Sequence, residues 1–214
     1  MARPRYVIFD CDGVLVDSEI LANRVEAEVK TELGFPTTLE EQIQKFVGLG
    51  TNHPLIQEEL ARLPSNYLAL VDERVEAVYA RELKPISGVA EVLMNLERPR
   101  CVASSSELAW IERKLAWTGL AAYFPSVLFS GHMVTRGKPA PDLFLHAAGE
   151  MGWDVSECLV VEDSAAGVRA GKAAGMKVCG FTGGKHILPG HADALLALGA
   201  DFVIHDFRRL LDLV

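Results

Sequence analysis

No stretch of this 214-residue chain is long and apolar enough to suggest a membrane span. Its most apolar tail segment, ADALLALGADFVIH, is broken by charge well short of the roughly 18 uncharged residues required. The opening MARPRYVIFDCD has only four apolar residues in a row before a carboxylate, too few for the core of a signal peptide, so a cytoplasmic protein is expected. Cysteine is scarce. Cys11, Cys101, Cys158 and Cys179 lie far apart, each in or beside an apolar run, without CxxC or Cys/His ligand spacing, and they read as buried reduced thiols. Excess basic charge is also missing: net charge is −8 and the basic residues are dispersed, which argues against a nucleic-acid surface. There is no low-complexity tract and no repeat of solenoid period, so no long disordered region is expected.

What is present is an ample supply of core residues, half of the chain being hydrophobic. Short runs rich in Val, Ile and Phe recur at Tyr6 to Phe9, Cys101 to Ala103, Val127 to Phe129, Leu159 to Val161, Val178 to Phe181 and Phe202 to Ile204. Helix-like segments separate most of them, the alternation of a parallel sheet covered on both faces. The expected core is therefore an α/β, doubly wound, Rossmann-like parallel sheet. Between the first run and the second, SEILANRVEAEVKTEL, TLEEQIQKF, HPLIQEELARL and NYLALVDERVEAVYARE all read as helix, far more chain than one crossover needs. Residues 18–83 are read as an inserted all-helical cap subdomain and residues 1–17 and 84–214 as the core. Asp17-Ser18 is expected to cap a helix on entry, and KPISG supplies Pro and Gly on exit.

In an open α/β sheet, ligands bind outside the carboxyl ends of the strands. Those ends carry Asp10 and Asp12, Ser104 and Ser105, a segment leading through SGHMVTRGKPAPD to Lys138, and Glu162 with Asp163. Four carboxylates against one lysine repel one another strongly, and a divalent cation is almost required. Oxygen-only ligands favour a hard ion such as Mg²⁺. A metal, a lysine and a serine hydroxyl together suit a phosphoryl group, whose transfer depends on positioning and charge neutralisation.

The order of these segments resembles the haloacid dehalogenase-like superfamily, in its helical-cap phosphatase and phosphomutase branch. DCDGVLVDSE resembles the first motif, VASSS the second, GKPAPD the third and VVEDSAAG the fourth, with cap-sized spacing after the first. The resemblance implies a phosphatase using Mg²⁺. Asp10 would be the nucleophile, giving an aspartyl-phosphate, and Asp12 the proton donor to the leaving alkoxide and then the base for water. Asp10 would be ionised against the metal and Asp12 protonated, and their mutual repulsion is expected to help separate the two pKa values. Asp10, the Asp12 backbone carbonyl, Glu162 and Asp163 would hold the metal, while Ser104, Ser105 and Lys138 would hold the phosphate.

Substrate choice is assigned to the cap entry, Glu19 to Ala22, and to the loop FVGLGTN, with Glu19, Gly48 and Thr51 as candidate contacts. A histidine near Ala22 and an arginine near Thr51, expected of β-phosphoglucomutases, are both missing, which favours hydrolysis. With no cation in that loop, a sugar phosphate or sugar-acid phosphate recognised through hydroxyls and backbone amides is expected. The pattern is also similar to bacterial 6-phosphogluconate phosphatases, with a phosphomutase or a phosphoglycolate phosphatase as alternatives. The partner is thus a small phosphorylated metabolite, not nucleic acid or membrane, and the chain is expected as a monomer or weak homodimer. A receiver-type signalling domain would lack the helical insertion and the late Glu-Asp pair.

Other features have plainer readings. One of Ser104 to Ser106 is as well placed to cap a helix as to meet phosphate. Gly167, Gly171 and Gly175 offer a small helix face for close packing on the sheet, and GGKHILPG reads as a connecting loop. His132, ahead of Lys138, is the one histidine worth checking. Cys11, between the aspartates, is expected to point into the core.

Overall fold

The computed structural model describes residues 3–47 and 53–214. The six apolar runs form β1 (Tyr6–Phe9), β2 (Arg100–Ser104), β3 (Leu128–Ser130), β4 (Cys158–Glu162), β5 (Lys177–Phe181) and β6 (Phe202–Ile204). They pair in parallel in the order β3-β2-β1-β4-β5-β6, so β1 is central and the strand order reverses between β1 and β4. That reversal opens a crevice at the carboxyl ends of these strands.

Between β1 and β2 come α1 (Ser18–Glu32), α2 (Leu39–Phe46), α3 (Pro54–Leu60), α4 (Tyr67–Glu82) and α5 (Val89–Asn95). The remaining α-helices among the described residues are α6 (Leu108–Trp117), α7 (Asp142–Met151), α8 (Ala165–Ala173) and α9 (His191–Ala197). Successive strand residues point to opposite faces. Val7 and Phe9 pack with Val92 and Leu93 of α5, Ile111 and Leu115 of α6, and Phe207 near the carboxyl terminus. Ile8 lies on the other face, with Leu143 and Phe144 of α7, Val168 of α8 and Leu195 of α9. The sheet is thus covered on both sides, as expected of a doubly wound fold. Among the described residues, no helix is long and apolar enough to cross a membrane.

Helices α1 and α4 share a smaller apolar core of their own, built from Val25, Val29, Tyr67, Val71 and Val78. The segments entering and leaving this helical region are tied together: Asp17 N donates to Lys84 O at 3.1 Å and Ile86 N donates to Leu15 O at 3.0 Å. The expected Asp17-Ser18 cap needs correction. Asp17 occupies the N-cap position of α1 without a side-chain capping bond. Its carboxylate instead accepts from the Lys185 backbone N at 3.2 Å and lies 3.3 Å from the Lys185 ammonium. Ser18 turns its hydroxyl to Asp12 at 2.6 Å.

Of the three recurring glycines, Gly171 sits where a side chain would collide with the sheet: an added Cβ would lie 2.7 Å from Val178 Cγ2. Overpacking of this kind costs about 1–3 kcal/mol. Gly149, also helical, has nothing within 4 Å of its notional Cβ, so alanine there gains helix propensity without a clash, worth about 0.4–1 kcal/mol. Thermal unfolding followed by circular dichroism is expected to show Gly171→Ala melting below wild type and Gly149→Ala slightly above it.

Candidate active site

The carboxyl edge of β1 carries a close cluster of like charges. Asp10, 7% exposed, is anchored by its backbone N donating to Val161 O at 3.0 Å. Cys11 points into the apolar core, and Asp12 returns toward the strand ends. The turn continues at Gly13, whose φ of +72° and lack of side chain are both required: a Cβ would stand 1.9 Å from Asp163 Oδ2. Asp10, Glu162 and Asp163 each offer a carboxylate oxygen, and these atoms lie within 4.8 Å of one another.

Lys138 is the countercharge. Its side chain is 4% exposed, and Nζ donates to Asp10 Oδ1 at 2.8 Å, Glu162 Oε1 at 2.6 Å and Ala103 O at 3.0 Å. Glu162 is fully buried and its other oxygen accepts from the Ser164 N and Oγ at 2.8 and 2.9 Å. This pocket exists because residue 167 is glycine, since a Cβ there would fall 1.8 Å from the Glu162 carboxyl. Asp163 meets His186, whose Nε2 lies 2.9 Å from Oδ2, and its carbonyl lies 2.6 Å from His191 Nε2.

Asp12 stands in a separate set of donors. Oδ1 accepts from Ser18 Oγ at 2.6 Å and Lys114 Nζ at 2.5 Å, while Oδ2 accepts from Ser106 Oγ at 2.7 Å and, at 3.5 Å, from Ser104 Oγ. None of the three serines caps a helix: Glu107 is the N-cap residue of α6 and makes no side-chain capping bond. Ser104 Oγ instead accepts from the Ser106 N at 3.1 Å. Ser105 is exposed and lines the cleft with Glu19 and His132. Gly48 and Thr51 lie outside the described residues.

These environments separate the carboxyl groups. Burial pushes the Asp10 pKa well up, and neighbouring Glu162, Asp163 and Asp12 add to it while Lys138 opposes it. Burial, followed by Glu162, raises Asp163 likewise. Burial also acts upward on Asp12, but the Lys114 ammonium and hydrogen bonds from Lys114, Ser18 and Ser106 outweigh it and bring the group below the usual carboxylate range. Donors as well as mutual repulsion therefore distinguish the two aspartates.

Three buried carboxylates, oxygen donors only, with one lysine among them, fit a hard divalent cation such as Mg²⁺. The Asp12 carboxylate is engaged elsewhere and lies outside that cluster. Around the strand ends opens a cleft of about 1390 Å³, reaching Glu19, Asn23 and Glu26 of α1 and Arg169 of α8.

Lys114 and His186 belong to none of the four motifs. The available sign for Lys114 was its spacing: with Ile111 and Leu115 it occupies the buried face of α6, an unusual place for an ammonium. His186 lies in the glycine-rich loop read as a plain connection, and no local pattern marks its contact with Asp163.

A family model described as haloacid dehalogenase-like hydrolase matches residues 4–175. The 6-phosphogluconate phosphatase of Escherichia coli K12 is 33% identical over 195 residues, covering 88% of this chain and 87% of that protein. The fructose-1-phosphate phosphatase of the same strain is 35% identical over 178 residues, covering 79% and 92%. Among solved structures, a conserved haloacid dehalogenase-like protein from Agrobacterium tumefaciens superposes with a TM-score of 0.88 at 39% identity, covering 97% of this chain and 96% of that one. A family hydrolase from Deinococcus radiodurans R1, crystallised with bound phosphate and sodium, gives 0.84 at 33% identity, covering 98% and 94%. The strand-end carboxylates, the lysine between them and these likenesses lead to one assignment: the chain belongs to the haloacid dehalogenase-like hydrolase family.

Proposed function

We propose that this hydrolase is a Mg²⁺-dependent phosphatase acting on a small phosphorylated metabolite, a sugar phosphate or sugar-acid phosphate, through an aspartyl-phosphate on Asp10. The observation that carries this reading is the position of Asp10: one oxygen is held 2.8 Å from Lys138, within a group of three carboxylates suited to a cation, while Asp12 two residues on is held by different donors. The phosphatase relatives, and the phosphate bound by the Deinococcus protein, support the substrate class.

Asp10 attacks phosphorus as the bond to the sugar oxygen breaks. Asp12 delivers the proton that oxygen needs and later takes one from the water that opens the acyl phosphate. Lys138 neutralises phosphate oxygens, joined by the hydroxyls of Ser104 and Ser105. Held by Asp10, Glu162, Asp163 and the Asp12 carbonyl, Mg²⁺ would supply charge neutralisation for the nucleophile and phosphate. Residues 18–83 act as the cap, offering Glu19 to the sugar together with Gly48 and Thr51.

A panel of glucose 6-phosphate, fructose 1-phosphate, 6-phosphogluconate and phosphoglycolate, assayed for phosphate release with Mg²⁺ and with EDTA, tests the reading. Hydrolysis of at least one sugar ester is expected, lost with EDTA and reduced by at least about 10³-fold in Asp10→Asn. Isomerisation of glucose 1-phosphate without any hydrolysis would contradict it.

Glu19 adds a pH signature. Burial, reinforced by Asp12 and Asp163, raises its pKa from 4.5 to about 8. The folded protein therefore binds this proton more tightly than the unfolded chain, and the associated stability is complete below pH 4.5 and lost as pH rises to about 8. Relative to wild type in EDTA, Glu19→Gln is expected to melt at nearly the same temperature at pH 4 and several degrees higher at pH 9.

A further inference from the structure

Lys114 carries a charge into a place where an apolar residue would pack. It is 5% exposed, on the α6 face that also buries Ile111 and Leu115, and its ammonium lies 5.8 Å from the centre of the Tyr79 ring. Removing an ammonium from water is costly unless it is paired. Among the described residues, its ion-pair partner is Asp12, 102 positions earlier in the chain.

The two oxygens of Asp12 are not equivalent. Oδ1 is held by Lys114 and by Ser18, and Ser18 is itself fixed by its carbonyl accepting from Tyr79 Oη at 3.2 Å. Oδ2 faces the hydroxyls of Ser104 and Ser106, which line the cleft. Lys114 also donates to Ser106 Oγ at 3.1 Å, leaving that hydroxyl proton to point at Oδ2. A hydroxyl can rotate and accept in turn, whereas an ammonium can only donate. Oδ1 is therefore the fixed oxygen and Oδ2 the one free to exchange a proton.

We infer that Lys114 is a positioning residue for proton transfer, fixing the Asp12 carboxylate so that Oδ2 faces the leaving oxygen. The inference rests on the phosphatase reading above. As the bond from Asp10 to phosphorus forms, the bond from phosphorus to the sugar oxygen breaks and its electron pair stays on that oxygen, which takes the proton from Asp12. Water then displaces Asp10 from phosphorus and gives a proton back to Asp12. A p-nitrophenolate leaves readily without protonation, so p-nitrophenyl phosphate bypasses the first of these transfers in kcat/KM.

The test is the ratio of kcat/KM for the best sugar phosphate of the panel to that for p-nitrophenyl phosphate, in wild type, Lys114→Met, Lys114→Arg, Asp12→Asn and the Lys114→Met/Asp12→Asn double variant. Misplacing a proton donor costs about 10²-fold. Lys114→Met is therefore expected to lower the ratio by at least about 30-fold, Lys114→Arg to recover most of it, and the double variant to fall no further than Asp12→Asn. The ratio is internal to each preparation, so partial loss of folded protein leaves it unchanged. If Lys114→Met yields no soluble protein, Lys114→Gln takes its place. A ratio unchanged in the tested variant while Asp12→Asn lowers it, or an additive loss in the double variant, overturns the role of Lys114. A ratio unchanged in Asp12→Asn itself overturns the underlying assignment of Asp12.

Discussion

Concentrated negative charge in a dry place is the constraint on which the rest of this molecule depends. Asp10, Glu162 and Asp163 meet at the carboxyl ends of β1 and β4, all buried, with Lys138 as the cation within reach of two of them. Carboxylates in such a setting either take up protons or require compensation. The surrounding chain is arranged to compensate. Lys138 bridges Asp10 and Glu162, Ser164 fills the second oxygen of Glu162, and His186 meets Asp163. Gly13 and Gly167 are absent side chains that let these carboxylates occupy their places.

The spacing of Asp10 and Asp12 acquires its meaning from the same constraint. One residue between them sends Cys11 into the core and returns both carboxylates to the strand-end region, yet their surroundings differ. Asp10 joins the metal-suited group; Asp12 is drawn aside by Ser18, Ser106 and Lys114, which come from the start of α1, the loop after β2 and α6. A nucleophile and a proton carrier need such unlike environments. Because Ser18 opens α1, the first residue of the helical region is tied directly to the group proposed to carry protons.

Much of this was legible in the chain because it is written locally. Runs such as YVIF and CLVVE announce buried parallel strands, and the residues that end them, Asp10, Ser104, Glu162 and Asp163, are brought to one edge by the sheet order alone. Contacts that depend on the crossing of distant elements were not written locally. Asp17 looks like a helix cap until the loop carrying Lys185 passes beside it. His186 looks like a loop histidine until that loop folds over Asp163. The setting of Asp12 was not legible for the same reason, since repulsion between neighbours is visible in sequence and a lysine arriving from α6 is not.

Compensation of buried charge by a cation has a consequence independent of turnover. Thermal unfolding measured against Mg²⁺ concentration, for wild type and Asp163→Asn, tests it most directly. Binding to the folded state alone predicts a wild-type Tm that climbs with the logarithm of Mg²⁺ concentration, and a markedly flatter response in Asp163→Asn. A wild-type Tm indifferent to Mg²⁺ up to about 10 mM, or an equal rise in both proteins, would contradict a cation site built on these carboxylates.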